Sequence, residues 1–358
     1  MDEIIYPGEE KDDENFIDAL HYSRMMSYLD EARGYKFLYK YWGDDEPNRW
    51  VYHTLYEYVH DMINSLVSSI DLRPTYVFFV KDEDTIFKFN GGSDLCTIKF
   101  STGLFERMLK IVDTAEPTFK MFPVLSLLAE NDLALPPNML IFMFGASAII
   151  YHEVGHAAQS TNTAQEFDES IEDGDTKGLP SEEIIESHLA EWDADNFSSI
   201  IVAEDILRVY SKVPAGQKNA RVLQDIVVCA MLGIFFVHNE LSHGKFSVYQ
   251  FTGAHPCAPY RVVNYCSSIT SYLKALGCDV NEQHIVSKFS TCLQAIVRDE
   301  HTAFMDNMAT DAAQKGYFDH ILAESPNHKF IRAKPKIANY FINLRQNSAV
   351  GGPETAAQ

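Results

Sequence analysis

From Asn138 to Gln159 the chain reads NMLIFMFGASAIIYHEVGHAAQ, an apolar run that acquires two histidines and a glutamate near its end. Its length and composition indicate a buried helix. His152 and His156 stand four residues apart, about 6 Å and slightly more than one turn along that helix, so both imidazoles face the same way. That separation suits two nitrogens on one tetrahedral Zn2+, and Glu153, beside the first of them, reaches a water in the open coordination position. With thirteen histidines in the chain, the string His-Glu-x-x-His also arises by chance, so it needs a third ligand to acquire meaning.

Ala157 to Asn162 lack the glycine and the third histidine that a metzincin carries after this string, which excludes that class. Further along, Ser181-Glu182-Glu183 opens a helix containing His188-Leu189-Ala190-Glu191-Trp192-Asp193-Ala194-Asp195, in which Glu191 and Asp195 share a face across one turn. Such a helix can present Glu191 to the metal and Asp195 to the far nitrogen of a ligating histidine, fixing its tautomer and raising its basicity. His188, one turn before Glu191, competes for the ligand position, with Glu186 a weaker competitor. An ordinary acidic exposed helix would carry the same residues without a role.

Around these two segments the periodicity changes along the chain. Helical spacing covers 15–41 and 48–70; short β-branched and aromatic runs follow at Thr75 to Val80, Thr85 to Phe89 and Leu95 to Phe100, with hairpin chemistry at Asn90-Gly91-Gly92. Helices are then expected at Gly103 to Val112, Phe119 to Glu130, Asn138 to Gln159, Ser181 to Tyr210, Gln217 to Leu241, Tyr260 to Leu276, Glu282 to Arg298 and near Phe330 to Arg345. The fold class read from this order is α+β, mainly helical, with a small sheet and two metal-binding helices. A disordered acidic head (1–14), an N-terminal helical part (15–74), a catalytic core (75–275), a C-terminal helical part (276–346) and a disordered tail (347–358) are expected to form one compact unit. The acidic stretch from Glu166 to Asp175 lacks the ordered spacing of a calcium loop and reads as a solvated surface segment.

The chain has 358 residues, 29 Lys and Arg against 51 Asp and Glu, and a formal charge of −22, which repels nucleic acid and anionic membrane surfaces. A protein or peptide is the expected partner. Met1 to Asn15 lack the basic and apolar blocks of a secretion signal, and the six cysteines contain no C-x-x-C pair. A cytoplasmic protein without a disulfide scaffold is expected. The best membrane-span candidates, Met139 to Tyr151 and Ile226 to Val237, meet polar residues after about a dozen positions and are expected to be too short to span.

The pair His152-Glu153-Val154-Gly155-His156 and Glu191-Trp192-Asp193-Ala194-Asp195 resembles the H-E-x-x-H plus E-x-x-A-D pair of gluzincins related to HtpX and the CAAX prenyl protease. Cys96 to Phe105 is similar to that family's edge strand running into a T-G-L-L helix, and His255-Pro256 with Arg261 resembles its H-P-x-x-x-x-R signature. The resemblance spans about Thr85 to Tyr265; a Lit-like family of soluble bacterial peptidases is a closer likeness. It implies a zincin-like core and a soluble endopeptidase with one catalytic Zn2+ held by His152, His156 and Glu191, and Glu153 as general base.

By the same resemblance His255 would meet the negative charge of the tetrahedral intermediate, with Tyr249 and Tyr260 as phenolic alternatives. Arg261 would brace the loop or a carboxylate beside the site. Substrate would pair as an extended strand along an edge formed by Cys96, Thr97, Ile98 and Lys99. Cys257 lacks an activating pair and reads as an incidental thiol. Two other classes compete: a non-catalytic protein keeping zinc as a staple or regulatory centre, and a scaffold with an accidental motif. A regulatory partner that holds activity latent would suit an intracellular peptidase.

Overall fold

The computed structural model describes residues 75–80, 87–91, 96–119, 137–162, 182–241 and 258–296, with Leu55, Leu72 and Pro256. The acidic head and tail, the 15–41 helix, most of the 48–70 helix, the acidic loop and the final helix lie outside the described residues.

Three strands, β1 (Thr75–Val80), β2 (Phe87–Gly91) and β3 (Cys96–Ser101), form a sheet in the order β1-β3-β2. β2 and β3 are antiparallel, with Asn90 opposite Thr97 and Gly91 opposite Cys96, as a hairpin requires. β1 joins the other side of β3 in parallel, from Thr75 opposite Cys96 to Val80 opposite Ser101. This corrects the reading of Cys96, Thr97, Ile98 and Lys99 as a substrate-binding edge. β3 is the middle strand, and neighbours on both sides take the main-chain groups that an added strand would need. Cys96, Ile98 and Phe100 alternate into the core, as a half-buried strand dictates.

Helix α1 (Thr102–Phe119) leaves β3 directly and buries Leu104, Phe105, Met108 and Val112 while Glu106, Arg107 and Lys110 face solvent. It runs a further two turns beyond the expected Val112. α2 (Pro137–Asn162) opens on a proline, whose missing N–H costs nothing in a first turn. It packs against α3 (Glu182–Ser211), α4 (Ala220–Leu241), α1 and the sheet, and is buried from Phe144 to Gln159. α5 (Ala258–Ala275) lies on α3 and α4, and α6 (Glu282–Ile296) packs mainly on α4, which draws part of the expected C-terminal region into the same core.

Local chemistry fixes where these helices begin and end. Asn219 and Asn281 accept backbone N–H groups of Val222 and His284 at 3.1 Å each, capping α4 and α6. α5 ends on Gly277 at φ +80°, where Cys278 N–H reaches Leu273 O and Gly277 N–H reaches Lys274 O, a Schellman closure that favours glycine.

Two close helix crossings set the middle of the fold. A Cβ on Gly145 would meet the Gly233 carbonyl and one on Gly233 would meet the Ile141 carbonyl, so α2 and α4 touch through their backbones. A Cβ on Gly155 would lie 3.0 Å from Ala194 Cα, which puts the α2–α3 crossing between the two candidate metal segments. Asn138–Gln159 and Ala220–Leu241, 22 residues each, are long and apolar enough to cross a bilayer, contrary to the shorter runs expected from the sequence. Averaged along a helix, a few histidines and amides do not interrupt an apolar stretch. Within the fold, 94% and 83% of those apolar windows are buried.

Candidate metal centre

His152 and His156 project from the second half of α2, and Glu191 from the second turn after Glu186 in α3, where the crossing at Gly155 and Ala194 brings the two helices together. His152 Nε2 and His156 Nε2 are 3.1 Å apart; Glu191 Oε2 is 3.2 Å from the first and its Oε1 is 3.1 Å from the second. Around an ion with bonds of about 2.0–2.1 Å, tetrahedral ligand atoms sit about 3.3–3.4 Å apart. The triangle therefore has nearly the size that a first-row divalent ion needs. Among the described residues this is the cluster of His, Cys, Asp and Glu that could hold a metal ion, and all three members are buried.

The outer nitrogens of both rings are held. Asp195 Oδ1 lies 2.9 Å from His152 Nδ1, and Arg261 Nη2 lies 3.0 Å from that nitrogen and 3.1 Å from Nε2, so the tautomer that donates from Nδ1 to Asp195 leaves Nε2 accepting from Arg261. Gln159 Oε1 lies 2.8 Å from His156 Nδ1 and accepts from that nitrogen in the same way. Two imidazole nitrogens and a carboxylate thus converge in a buried space where Arg261 already supplies one positive charge, 3.1 Å from His152 Nε2 and 3.3 Å from Glu191 Oε2, and where the carboxylates attract a further proton or cation. The response of His156 expresses this: burial opposes its charging, but Glu191, then Glu153 and Gln159, outweigh burial and raise it to about 10. The donor set fits a divalent metal.

Arg261, from the first turn of α5, holds Asp195 in a fork, Nε to Oδ2 at 3.0 Å and Nη2 to Oδ1 at 2.7 Å. Its Nη1 lies 3.3 Å from Glu191 Oε2, so one guanidinium braces two carboxylates. Burial pulls against this charge, but Asp195 and Glu191 keep it firmly cationic. For Asp195, burial works upward and Arg261 with His152 prevail, holding the carboxyl at about 2. Asn264, donating to Trp192 O at 3.3 Å, and Ser268 on Asn196 seat α5 against α3 and so aim Arg261. Glu153, 2% exposed, has Oε1 3.7 Å from His152 Nε2.

The structure thus brings together His152, Glu153, His156, Glu191, Asp195 and Arg261. His188 is buried on α3 outside the ligand cluster, while His255, Tyr249 and Cys257 lie outside the described residues. Three residues escaped the sequence reading. Gln159 follows His156 by one turn, a spacing that could have revealed it. Tyr265 donates to Ala148 O at 3.3 Å behind Asp195, and burial followed by that carboxylate pushes its hydroxyl well up. His238, at the end of α4, packs its ring 5.8 Å from Tyr265; burial, then Arg261, hold it well below the ordinary histidine range. His238 closes an apolar stretch of α4 and Tyr265 lies among Arg261, Asn264 and Ser268 on α5, and neither has a spacing that would mark it.

Comparison of the chain with protein-family models, with curated proteins and with solved structures returns no match.

Proposed function

We propose that the chain is a zinc-dependent endopeptidase with a zincin-like core, cutting a peptide bond in an intracellular protein. One observation carries the reading: two imidazole nitrogens and a carboxylate lie 3.1–3.2 Å apart with a second carboxylate, Glu153, beside them. Three protein ligands, the number found among the described residues, is what catalytic zinc sites keep, whereas closed structural sites use four. When bound by His152, His156 and Glu191, zinc supplies Lewis acidity that brings the pKa of a water to about 7 and polarises the carbonyl under attack.

The chain's own residues do the remaining work. Glu153 accepts the proton of the attacking water on a carboxylate oxygen and returns it to the departing amine. Asp195 holds the Nδ1 hydrogen of His152, and Arg261 keeps Asp195 ionised for that task. His255, by the gluzincin resemblance, would face the developing oxyanion. Among the described residues the thiols of Cys229, Cys266 and Cys292 are free, in accord with a reducing compartment such as the cytoplasm.

The test is metal analysis of chain purified without added zinc, coupled to detection of new protein termini in cells expressing the native and Glu153→Gln chains. One zinc per chain is expected in both, with cleavage slowed about 10^2- to 10^4-fold by the substitution. A metal-free native chain, or cleavage that survives Glu153→Gln undiminished, would overturn the proposal.

A further inference from the structure

We propose that Gln159 is a positioning residue of the metal centre, whose side-chain carbonyl locks His156 in the tautomer that offers Nε2 to the ion. The inference rests on the metal-centre reading above and extends it to a residue that no motif marks. Gln159 is 2% exposed and stands one turn beyond His156 on α2. Its Nε2 donates to Ala190 O at 2.7 Å, and Ala190 immediately precedes Glu191 on α3. A carbonyl can only accept, so this bond decides which way the amide points. The opposite orientation would press two carbonyl oxygens together at that distance, in a site too buried for water to separate them.

With the amide so fixed, the atom 2.8 Å from His156 Nδ1 is an oxygen, and it too can only accept. The ring therefore places its hydrogen on Nδ1 whenever it is neutral, and Nε2 is left with a lone pair directed at Glu191 and His152. His152 instead meets the Asp195 carboxylate of α3 at Nδ1 and the Arg261 guanidinium of α5 at both ring nitrogens, 3.0 and 3.1 Å away. The two ligating rings are thus oriented by different chemistry, one by an ionised carboxylate and the other by a neutral amide anchored to the helix that carries the third ligand. One side chain sets a tautomer and also ties the second ligand's helix to the third ligand's.

Those two roles separate by substitution. Gln159→Met removes both the acceptor and the donor at nearly constant volume; Gln159→Glu keeps an acceptor for Nδ1 while its carboxylate loses the bond to Ala190. Cobalt(II), whose visible bands report tetrahedral coordination, is titrated into the native full-length chain and both variants. Gln159→Met should bind cobalt about 10- to 100-fold more weakly, and Gln159→Glu should stay within about threefold of the native chain. Equal affinity and spectra in all three chains would overturn the inference, and so would equal loss in both variants, which would leave only a tie between helices. Should the Met chain fail to fold, the zinc-loaded native chain decides: a slowly exchanging imidazole Nδ1–H at His156 in 15N-detected spectra supports the lock, and its absence refutes it. Native chain that binds no cobalt at all would instead remove the metal-centre reading itself, a separate failure.

Discussion

The two halves of α2 are both buried and both pass a neighbouring helix at backbone distance, yet they are built for opposite ends. Around Gly145 the helix meets Gly233 of α4 among Ile141, Phe142, Ile149, Phe235 and Phe236, a contact with no charge in it. Around Gly155 it meets Ala194 of α3 among His152, Glu153, His156, Glu191 and Asp195. Small residues serve both crossings. In the first they admit dispersion contact that stabilises the fold; in the second they bring charged groups close enough that one ion could be shared among them. One continuous helix thus lets the apolar half pay for the strain of assembling the polar half.

That contrast breaks most sharply at Arg261. Arg261→Met leaves Asp195 and Glu191 buried without their counter-charge and should destabilise the chain by about 3–5 kcal/mol, read by denaturant unfolding. Added zinc should recover part of the loss, since the ion neutralises the same carboxylates. Gly145→Ala comes next, at about 3 kcal/mol, because the obstructing atom is a backbone carbonyl that cannot turn aside. Its metal stoichiometry should stay at the native value, and a chain that lost zinc as well would show that the two halves are not separable.

Acidity sharpens the comparison further. Without metal, His156 is raised from 6.5 to about 10, so a proton occupies the site at neutral pH and an incoming ion must displace it. Apparent metal affinity should therefore climb with pH, by up to about tenfold per unit, and level off near pH 10. Calorimetry in two buffers of different ionisation enthalpy should find about one proton released per ion at pH 8. By linkage the raised group favours the metal-free fold most fully below pH 6.5, and that contribution disappears as pH rises through about 10. Gly155→Ala should have the smallest effect, about 1 kcal/mol, since Ala194 needs to yield only a few tenths of an ångström. Even so small a parting of the helices should weaken zinc binding measurably, while an unchanged affinity would show slack in the ligand triangle.

Much of this arrangement is legible in the sequence because helices write their faces locally. The expected Asn138 to Gln159, Ser181 to Tyr210 and Tyr260 to Leu276 segments fall within three residues of α2, α3 and α5. Glu191 and Asp195 were readable as partners because four residues return a helix to one face. His188 against Glu191 was not decidable by that rule, since each projects from the same side one turn apart; the rotation of α3 against α2 makes the choice. The position of β3 was unreadable for a different reason. Hairpin chemistry at Asn90 and Gly91 pairs β2 with β3, but nothing local says that β1 will join β3 from the far side. Strand order is a decision between segments distant in the chain, and register with a parallel neighbour leaves no turn signature.

Arg261 lodged between two acids has a consequence for which ion such a site would accept. The carboxylates of Glu153, Glu191 and Asp195, set against that one guanidinium, leave a formal excess of negative charge, which buried Asp193 beside Gln159 enlarges. A monovalent ion such as sodium or potassium would offset less of that excess than a dication, and the shortfall is costly where water cannot screen it. Valence would then favour a multiply charged ion before coordination geometry is consulted, and the imidazoles would select among the first-row dications.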